Sequence, residues 1–319
     1  MYTRRDIGRL ALGTAAAAAL PASRLFAVPE AAVLSVRFGA TTYSLRDLPR
    51  IPGKDNIADL IRPLQDAGVK SIDLWSYNAE PAGPNTGPGA PPPPAVYPIK
   101  IKVFTPEEIA AAMKQARDLL RQFRLGHADS KLGFTPNHYQ EVRSKFDAAG
   151  ISVASYTVKY DDSFTDPEIE ATFQQAKTLG AKSISVPGSA AVLKRLAPFT
   201  VKYDMDIAVT DFNLVSSLPS KRFRINVDIG AITAANGSPV AWIQENHESI
   251  GQVLITDRRR NKGSNEQWGQ GDTPVEAVLK LIKDKNFTFP VLADYEYIGL
   301  GTPAEELARC MDYMRDAVS

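Results

Sequence analysis

Three short segments of this chain close an apolar, β-rich run on a carboxylate. Residues 222–230 read Arg-Phe-Arg-Ile-Asn-Val-Asp-Ile-Gly and deliver Asp228 just before a glycine. Residues 250–257 (Ile-Gly-Gln-Val-Leu-Ile-Thr-Asp) end on Asp257, and residues 289–296 (Phe-Pro-Val-Leu-Ala-Asp-Tyr-Glu) end on Glu296. Acids at strand ends do chemistry together only if distant strands finish at one place. A barrel of parallel strands brings that about, because its strand ends share one mouth, where the ligand of such a fold sits.

The rest of the chain supplies the elements such a barrel needs. Strands are expected over 36–44, 70–75, 151–157, 183–187 and 206–210, followed by the three acid-ended ones. Helices are expected over 59–67, 106–123, 137–149, 166–179, 190–196, 213–220, 239–248, 274–283 and 303–317, several of them stopped by a glycine such as Gly68, Gly150 or Gly180. Strands and helices alternating at this interval are the mark of a right-handed βα repeat, and eight units make a single-domain (β/α)8 TIM barrel over 33–319. A Pro-rich insertion, 79–104, interrupts the pattern after strand two. Its first part, 79–98, holds eight prolines and three glycines, a composition that builds an extended loop rather than core and that overhangs the mouth as a lid, a partner contact or a solvated insertion.

The 319 residues, 44% of them hydrophobic, suffice for one such core plus an export segment. Lys+Arg of 37 against Asp+Glu of 36 leaves a net charge of +1. No global field therefore favours nucleic acid or an anionic membrane, and the partner is a small molecule. Cys310 is the only cysteine, so internal disulfides and thiolate clusters are excluded. Residues 1–32 carry Arg4 and Arg5 ahead of a weakly apolar run with five consecutive alanines. That is the pattern of a twin-arginine export signal, too short for a spanning helix. It predicts a periplasmic protein with no membrane span after processing.

The ordered stretches Gly39-Ala-Thr-Thr-Tyr-Ser, Gly68-Val-Lys-Ser-Ile-Asp-Leu, Asn226-Val-Asp-Ile-Gly, Thr256-Asp-Arg, Trp268-Gly-Gln-Gly-Asp and Asp294-Tyr-Glu-Tyr resemble the xylose-isomerase-like sugar phosphate isomerase/epimerase family. The resemblance implies a TIM barrel acting on a small carbohydrate or polyol by proton abstraction next to a carbonyl, with a divalent metal held by acids and a histidine from strands five to eight. Carried over residue by residue, it assigns Asp228 to the strand-six acid and Glu296 to the strand-eight acid, as catalytic groups and metal ligands. The strand-five Glu is replaced by Thr210 and the strand-seven His by Leu254.

Three readings stay open. Asp211, Asp228, Asp257 and Glu296 form an oxygen-only site for Mg, Mn or Ca; or the site holds no metal, and Asp228 with Glu296 acts on a sugar held by Lys159, Arg258 and Trp268; or catalysis is lost and a carbohydrate-binding barrel is left. Asn213 and Trp75 complete the candidate substrate contacts, and His127 and Asp129 are loop candidates. An oligomer is compatible with all three.

Overall fold

The computed structural model describes residues 36–51, 54–80, 105–126, 137–187, 190–215, 218 and 220–319. The export segment, residues 81–104 of the Pro-rich insertion, and His127 and Asp129 lie outside the described residues. Eight parallel strands close in chain order into one barrel: β1 (Arg37–Thr41), β2 (Ser71–Trp75), β3 (Ser152–Thr157), β4 (Ser183–Val186), β5 (Asp206–Val209), β6 (Phe223–Asp228), β7 (Ile250–Ile255) and β8 (Pro290–Ala293). β8 returns to β1 through the pairs Arg37 with Pro290 to Ala40 with Ala293, which seals the ring and leaves no open sheet edge.

The helices that clothe it are α1 (Asn56–Asp66), α2 (Ser76–Ala79), α3 (Pro106–Arg124), α4 (His138–Ala148), α5 (Asp166–Leu179), α6 (Ala190–Lys202), α7 (Phe212–Val215), α8 (Ile229–Ala234), α9 (Pro239–Asn246), α10 (Val275–Asp284) and α11 (Pro303–Asp316). Three of them start by one device. Thr105, Thr165 and Thr302 each cap with the hydroxyl while a glutamate at the third position bonds back to the threonine amide, and a proline sits in the first turn. Alternate strand residues such as Ile72, Ile184, Ile207, Val253 and Val291 are fully buried, as are Leu64, Phe146, Ile169, Phe173, Leu279 and Leu307 on the helices. The main core is thus the shell between sheet and helices, and the other half of each strand's residues points into the lumen. Among the described residues no helix is long and apolar enough to cross a membrane.

Some boundaries differ from the sequence expectation, for local reasons. β1 stops at Thr41 rather than running to Ser44, because residues Thr42–Leu45 curl into a 3-10 turn. That turn is held by side-chain bonds: Trp75 N donates to Thr42 Oγ1 at 2.8 Å and Tyr295 N to Ser44 Oγ at 2.8 Å. β8 ends at Ala293, where its pairing with both Ala40 and Ile255 stops. α8, which the sequence does not announce, begins directly on β6 because Asp228 caps it. Gly230 permits that tight entry, since a Cβ there would lie 2.2 Å from Thr256 Oγ1.

Candidate active site

Asp228 is the last residue of β6 and the N-cap of α8, so one of its oxygens is engaged by the fold. Oδ1 accepts from Ala231 N at 3.1 Å and from Thr256 Oγ1 at 2.5 Å. Glu296 lies three residues beyond β8, half-buried, with Oε2 accepting from Asn265 Nδ2 at 3.0 Å. Asp294, the first residue after β8, is given no site role by the sequence, yet it lies within electrostatic reach of both. It is 7% exposed, and the one hydrogen bond to its carboxyl among the described residues comes from Thr41 Oγ1, 2.9 Å from Oδ1. Burial holds the Asp294 carboxyl well above the usual carboxylate range. The negative charges of Glu296, then of Asp228 and Asp73, push it further, and only the Thr41 bond opposes them. Strands β2, β6 and β8 therefore bring the charges of Asp73, Asp228 and Glu296 within electrostatic reach of Asp294; burial raises the Asp73 pKa as well.

The mouth beside β1 and β2 is aromatic. Trp75, half-buried, meets Tyr43 edge-on at 5.1 Å and Tyr77 at 4.7 Å between ring centroids. Arg46 lies over the Tyr43 ring at 4.9 Å and Arg50 over Tyr77 at 3.9 Å.

Other expected site residues are placed elsewhere. Asp257 is not a ligand but a clamp. Its carboxylate is 1% exposed and accepts from Gly269 N (2.8 Å), Gly271 N (2.9 Å) and Thr273 N (3.1 Å), tying down the whole β7–α10 loop. The glycines of Gly269-Gln-Gly271 serve this clamp, since a Cβ on Gly271 would lie 2.0 Å from the Asp257 carboxylate. Arg258 folds back on its own loop, donating Nε and Nη2 to Gly263 O at 3.2 and 2.8 Å. Trp268 is 7% exposed and packs edge-to-face on Tyr313 of α11, centroids 6.0 Å apart, so its surface belongs to the core and not to a sugar. Lys159 is exposed beyond β3, Asp211 is exposed before α7, and the side chain of Asn213 lies outside the described residues.

Asn265 was not anticipated. It reaches Glu296 because the β7–α10 loop doubles back in an antiparallel bridge between Arg258 and Asn265, a contact no local pattern announces. Asp294 did carry a signal: it is the first polar residue after Val-Leu-Ala and shares its parity with Glu296.

No family model matches this chain, and no curated protein matches it in sequence. Solved structures do. A xylose isomerase domain protein from Alicyclobacillus acidocaldarius is 12% identical with a TM-score of 0.56, covering 88% of this chain and 98% of its own. The 3-keto-D-glucoside 4-epimerase of E. coli is 12% identical at a TM-score of 0.55, covering 88% and 99%. An IOLI protein with a bound zinc atom is 12% identical at 0.54, covering 89% and 98%. The chain has the fold of the xylose-isomerase-like barrels. Sugar isomerase and epimerase enzymes are thus among the proteins that share its architecture; at this identity the likeness shows the fold alone.

The donor set here does not fit a metal of that kind. Leu254 stands beside Asp228 in register and offers no lone pair. Asp257 is fully committed to backbone amides, and Thr210 occupies the end of β5. Among the described residues no three His, Cys, Asp or Glu side chains come together as a metal group. The four-oxygen site composed of Asp211, Asp228, Asp257 and Glu296 is not assembled.

Proposed function

We propose that this barrel is an isomerase or epimerase of a carbohydrate or polyol, moving a proton on and off a carbon next to a carbonyl. One observation carries the reading: the Asp294 carboxyl is buried with Thr41 as its one described side-chain donor, which with the charges of Glu296 and Asp228 nearby holds its pKa well above the usual carboxylate range. Acids whose environments push their titrations apart divide the work, the protonated one donating and the ionised one accepting.

In the step this arrangement supports, Glu296 takes the proton from the carbon. The C–H pair becomes a C=C bond to the former carbonyl carbon, and the carbonyl oxygen takes the Asp294 proton, giving a neutral enediol. Return of the proton from Glu296 to the former carbonyl carbon, while the hydroxyl on the carbon that lost its C–H gives its proton to Asp294 and becomes the new carbonyl, isomerises the sugar. Delivery of a solvent proton to the opposite face of the original carbon, with Glu296 releasing its proton to water and the original carbonyl oxygen returning its proton to Asp294, inverts the centre. Asp228, fixed by Thr256 and the α8 amide, is a hydrogen-bond acceptor for a substrate hydroxyl. Trp75 and Tyr43 provide an apolar wall for the sugar face. No metal has a part in this step.

Incubating a panel of ketoses and aldoses in deuterium oxide with the purified chain, with and without chelator, tests the reading by proton NMR. Wash-in of deuterium next to the carbonyl is expected, insensitive to chelator, and reduced roughly 100- to 10,000-fold by Glu296→Gln and by Asp294→Asn. Full exchange in Glu296→Gln would remove that residue as the base. Absence of exchange with every sugar, alongside ligand-induced stabilisation, favours a carbohydrate-binding barrel, a second reading supported by the Thr210 and Leu254 replacements. The Arg4-Arg5 pattern supports export to the periplasm by the twin-arginine route, checked by fractionating cells that express the full chain and its Arg4→Lys, Arg5→Lys variant.

A further inference from the structure

At the end of the barrel away from the acids, several strands begin on charge. Arg37 opens β1, Asp206 opens β5 across the ring from it, and Arg224 is the second residue of β6. With His247 and Glu248, in the turn before β7, and residues 286–289, before β8, they line a cleft of about 400 Å³. That is within the range of small-molecule sites, about 300 to 1,000 Å³.

Two of the cleft's four charged side chains are answered by the protein. Asp206 Oδ1 accepts from Arg222 Nη1 at 3.1 Å, and Oδ2 lies 3.8 Å from Arg224 Nε. Arg224 Nη1 donates to Glu248 O at 2.5 Å. The other two, the Arg37 guanidinium and the Glu248 carboxylate, have no hydrogen bond or ion pair among the described residues, not even with each other. The Thr288 hydroxyl and the Asn286 amide, which also line the cleft, are unbonded among the described residues too. An aromatic wall completes it. The His247 ring stacks on Phe287, centroids 4.7 Å apart and 17° from parallel, and Phe287 packs on Phe289 at 5.5 Å. His247 Nδ1 lies 3.1 Å from Gln244 O, which fixes the ring.

We propose that this cleft binds a free α-amino acid with an apolar side chain, its carboxylate on Arg37, its ammonium on Glu248 and its side chain against Phe287 and His247. The groups on offer select the guest by their chemistry. A guanidinium donates to a carboxylate in charge-assisted pairs, and a carboxylate accepts from an ammonium. A neutral sugar leaves both charges unanswered. An inorganic anion answers Arg37 and is repelled by Glu248, and a simple amine meets the converse. On an open surface water serves each charge separately; here one concave space holds both signs beside an aromatic wall. The cleft shares no residue with the acids at the opposite mouth, so it stands or falls apart from the proposed reaction.

Calorimetric titration of the full chain with L-phenylalanine, its amide, its N-acetyl derivative and inorganic phosphate tests this, at constant ionic strength and about pH 6, where α-amino groups are protonated. The free amino acid is expected to bind with a Kd of about 1 mM or below, and each capped compound about tenfold more weakly, because each lacks one charge-assisted contact. In Arg37→Gln, phenylalanine is expected to bind no better than its amide. In Glu248→Gln, it is expected to bind no better than the N-acetyl compound. Both side chains are exposed, so neither substitution disturbs the core. No binding of phenylalanine up to about 20 mM overturns the proposal. So do capped compounds that bind as tightly as the free amino acid, or wild-type affinity in either variant. Phosphate binding more tightly than phenylalanine would make the cleft an anion site only, and overturns it too.

Discussion

β7 and β8 lie side by side in the barrel, and a buried aspartate follows each, yet the two carboxyl groups live in opposite surroundings. Asp257, two residues past β7, receives three backbone N–H bonds and closes the loop that leads to α10. Asp294, immediately past β8, receives one hydroxyl and faces three other acids. Near-equal burial, 1% against 7%, therefore says nothing about their roles. Partners decide: a carboxylate saturated with amides is part of the architecture, while one left short of donors and crowded by negative charge has its pKa pushed up and keeps the capacity to meet a ligand.

Asp257→Ala breaks the comparison most severely. It strands three backbone donors inside the loop at about 1 to 3 kcal/mol each, so urea unfolding should show a loss of at least about 3 kcal/mol. An unchanged midpoint would mean the loop does not depend on its clamp, and the contrast with Asp294 would dissolve.

Asp294→Asn sharpens it with the opposite sign. The folded state keeps this proton above the ordinary carboxyl value of 3.8, while the unfolded chain releases it there. The folded protein then binds more protons than the unfolded one, and stability falls as pH rises from that value toward the raised one. Asparagine does not titrate. The variant's advantage over the wild type should accordingly grow with pH, by up to about 1.4 kcal/mol per unit. Unfolding curves at about pH 5, 6 and 7 measure it, and a difference flat in pH would show that Asp294 ionises on ordinary terms. Stability gained where activity is lost is the signature of a group placed for chemistry.

Much of the fold is legible in the sequence because it rests on local rules. Apolar runs such as Ile-Ala-Val and Val-Leu-Ala mark buried parallel strands, and Thr-Pro-x-Glu boxes and helix-ending glycines mark the helices between them. The candidate site is legible only where it too is local. Asp228 at the end of its strand is visible in Asn-Val-Asp-Ile-Gly, although the helix it caps is not. Asp294 is hidden behind Glu296 because strand eight ends where its neighbours stop pairing, at Ala40 and Ile255, and no property of residues 289–296 states that. Trp268 and Arg258 look like ligand contacts for the same reason. What occupies them is Tyr313, 45 residues on, and the carbonyl of Gly263 across a loop.

Thr41→Val tests the comparison at its finest grain, one hydroxyl. Thr41 Oγ1 is the sole described donor to Asp294 and lies 3.3 Å from Ser44 Oγ, in a turn that also holds Tyr295. Removing it should cost only about 1 kcal/mol of stability, as for a typical net hydrogen bond. The informative change is in pH dependence. The Thr41 bond favours the ionised carboxyl, so its loss raises the Asp294 pKa further. If Asp294 is the proton donor, activity declines on the alkaline side where that carboxyl ionises, and in Thr41→Val the alkaline limb moves to higher pH. A hydroxyl that merely braced the turn would lower activity evenly at every pH, and an unmoved limb would return Asp294 to the company of Asp257, a buried acid that holds the barrel together.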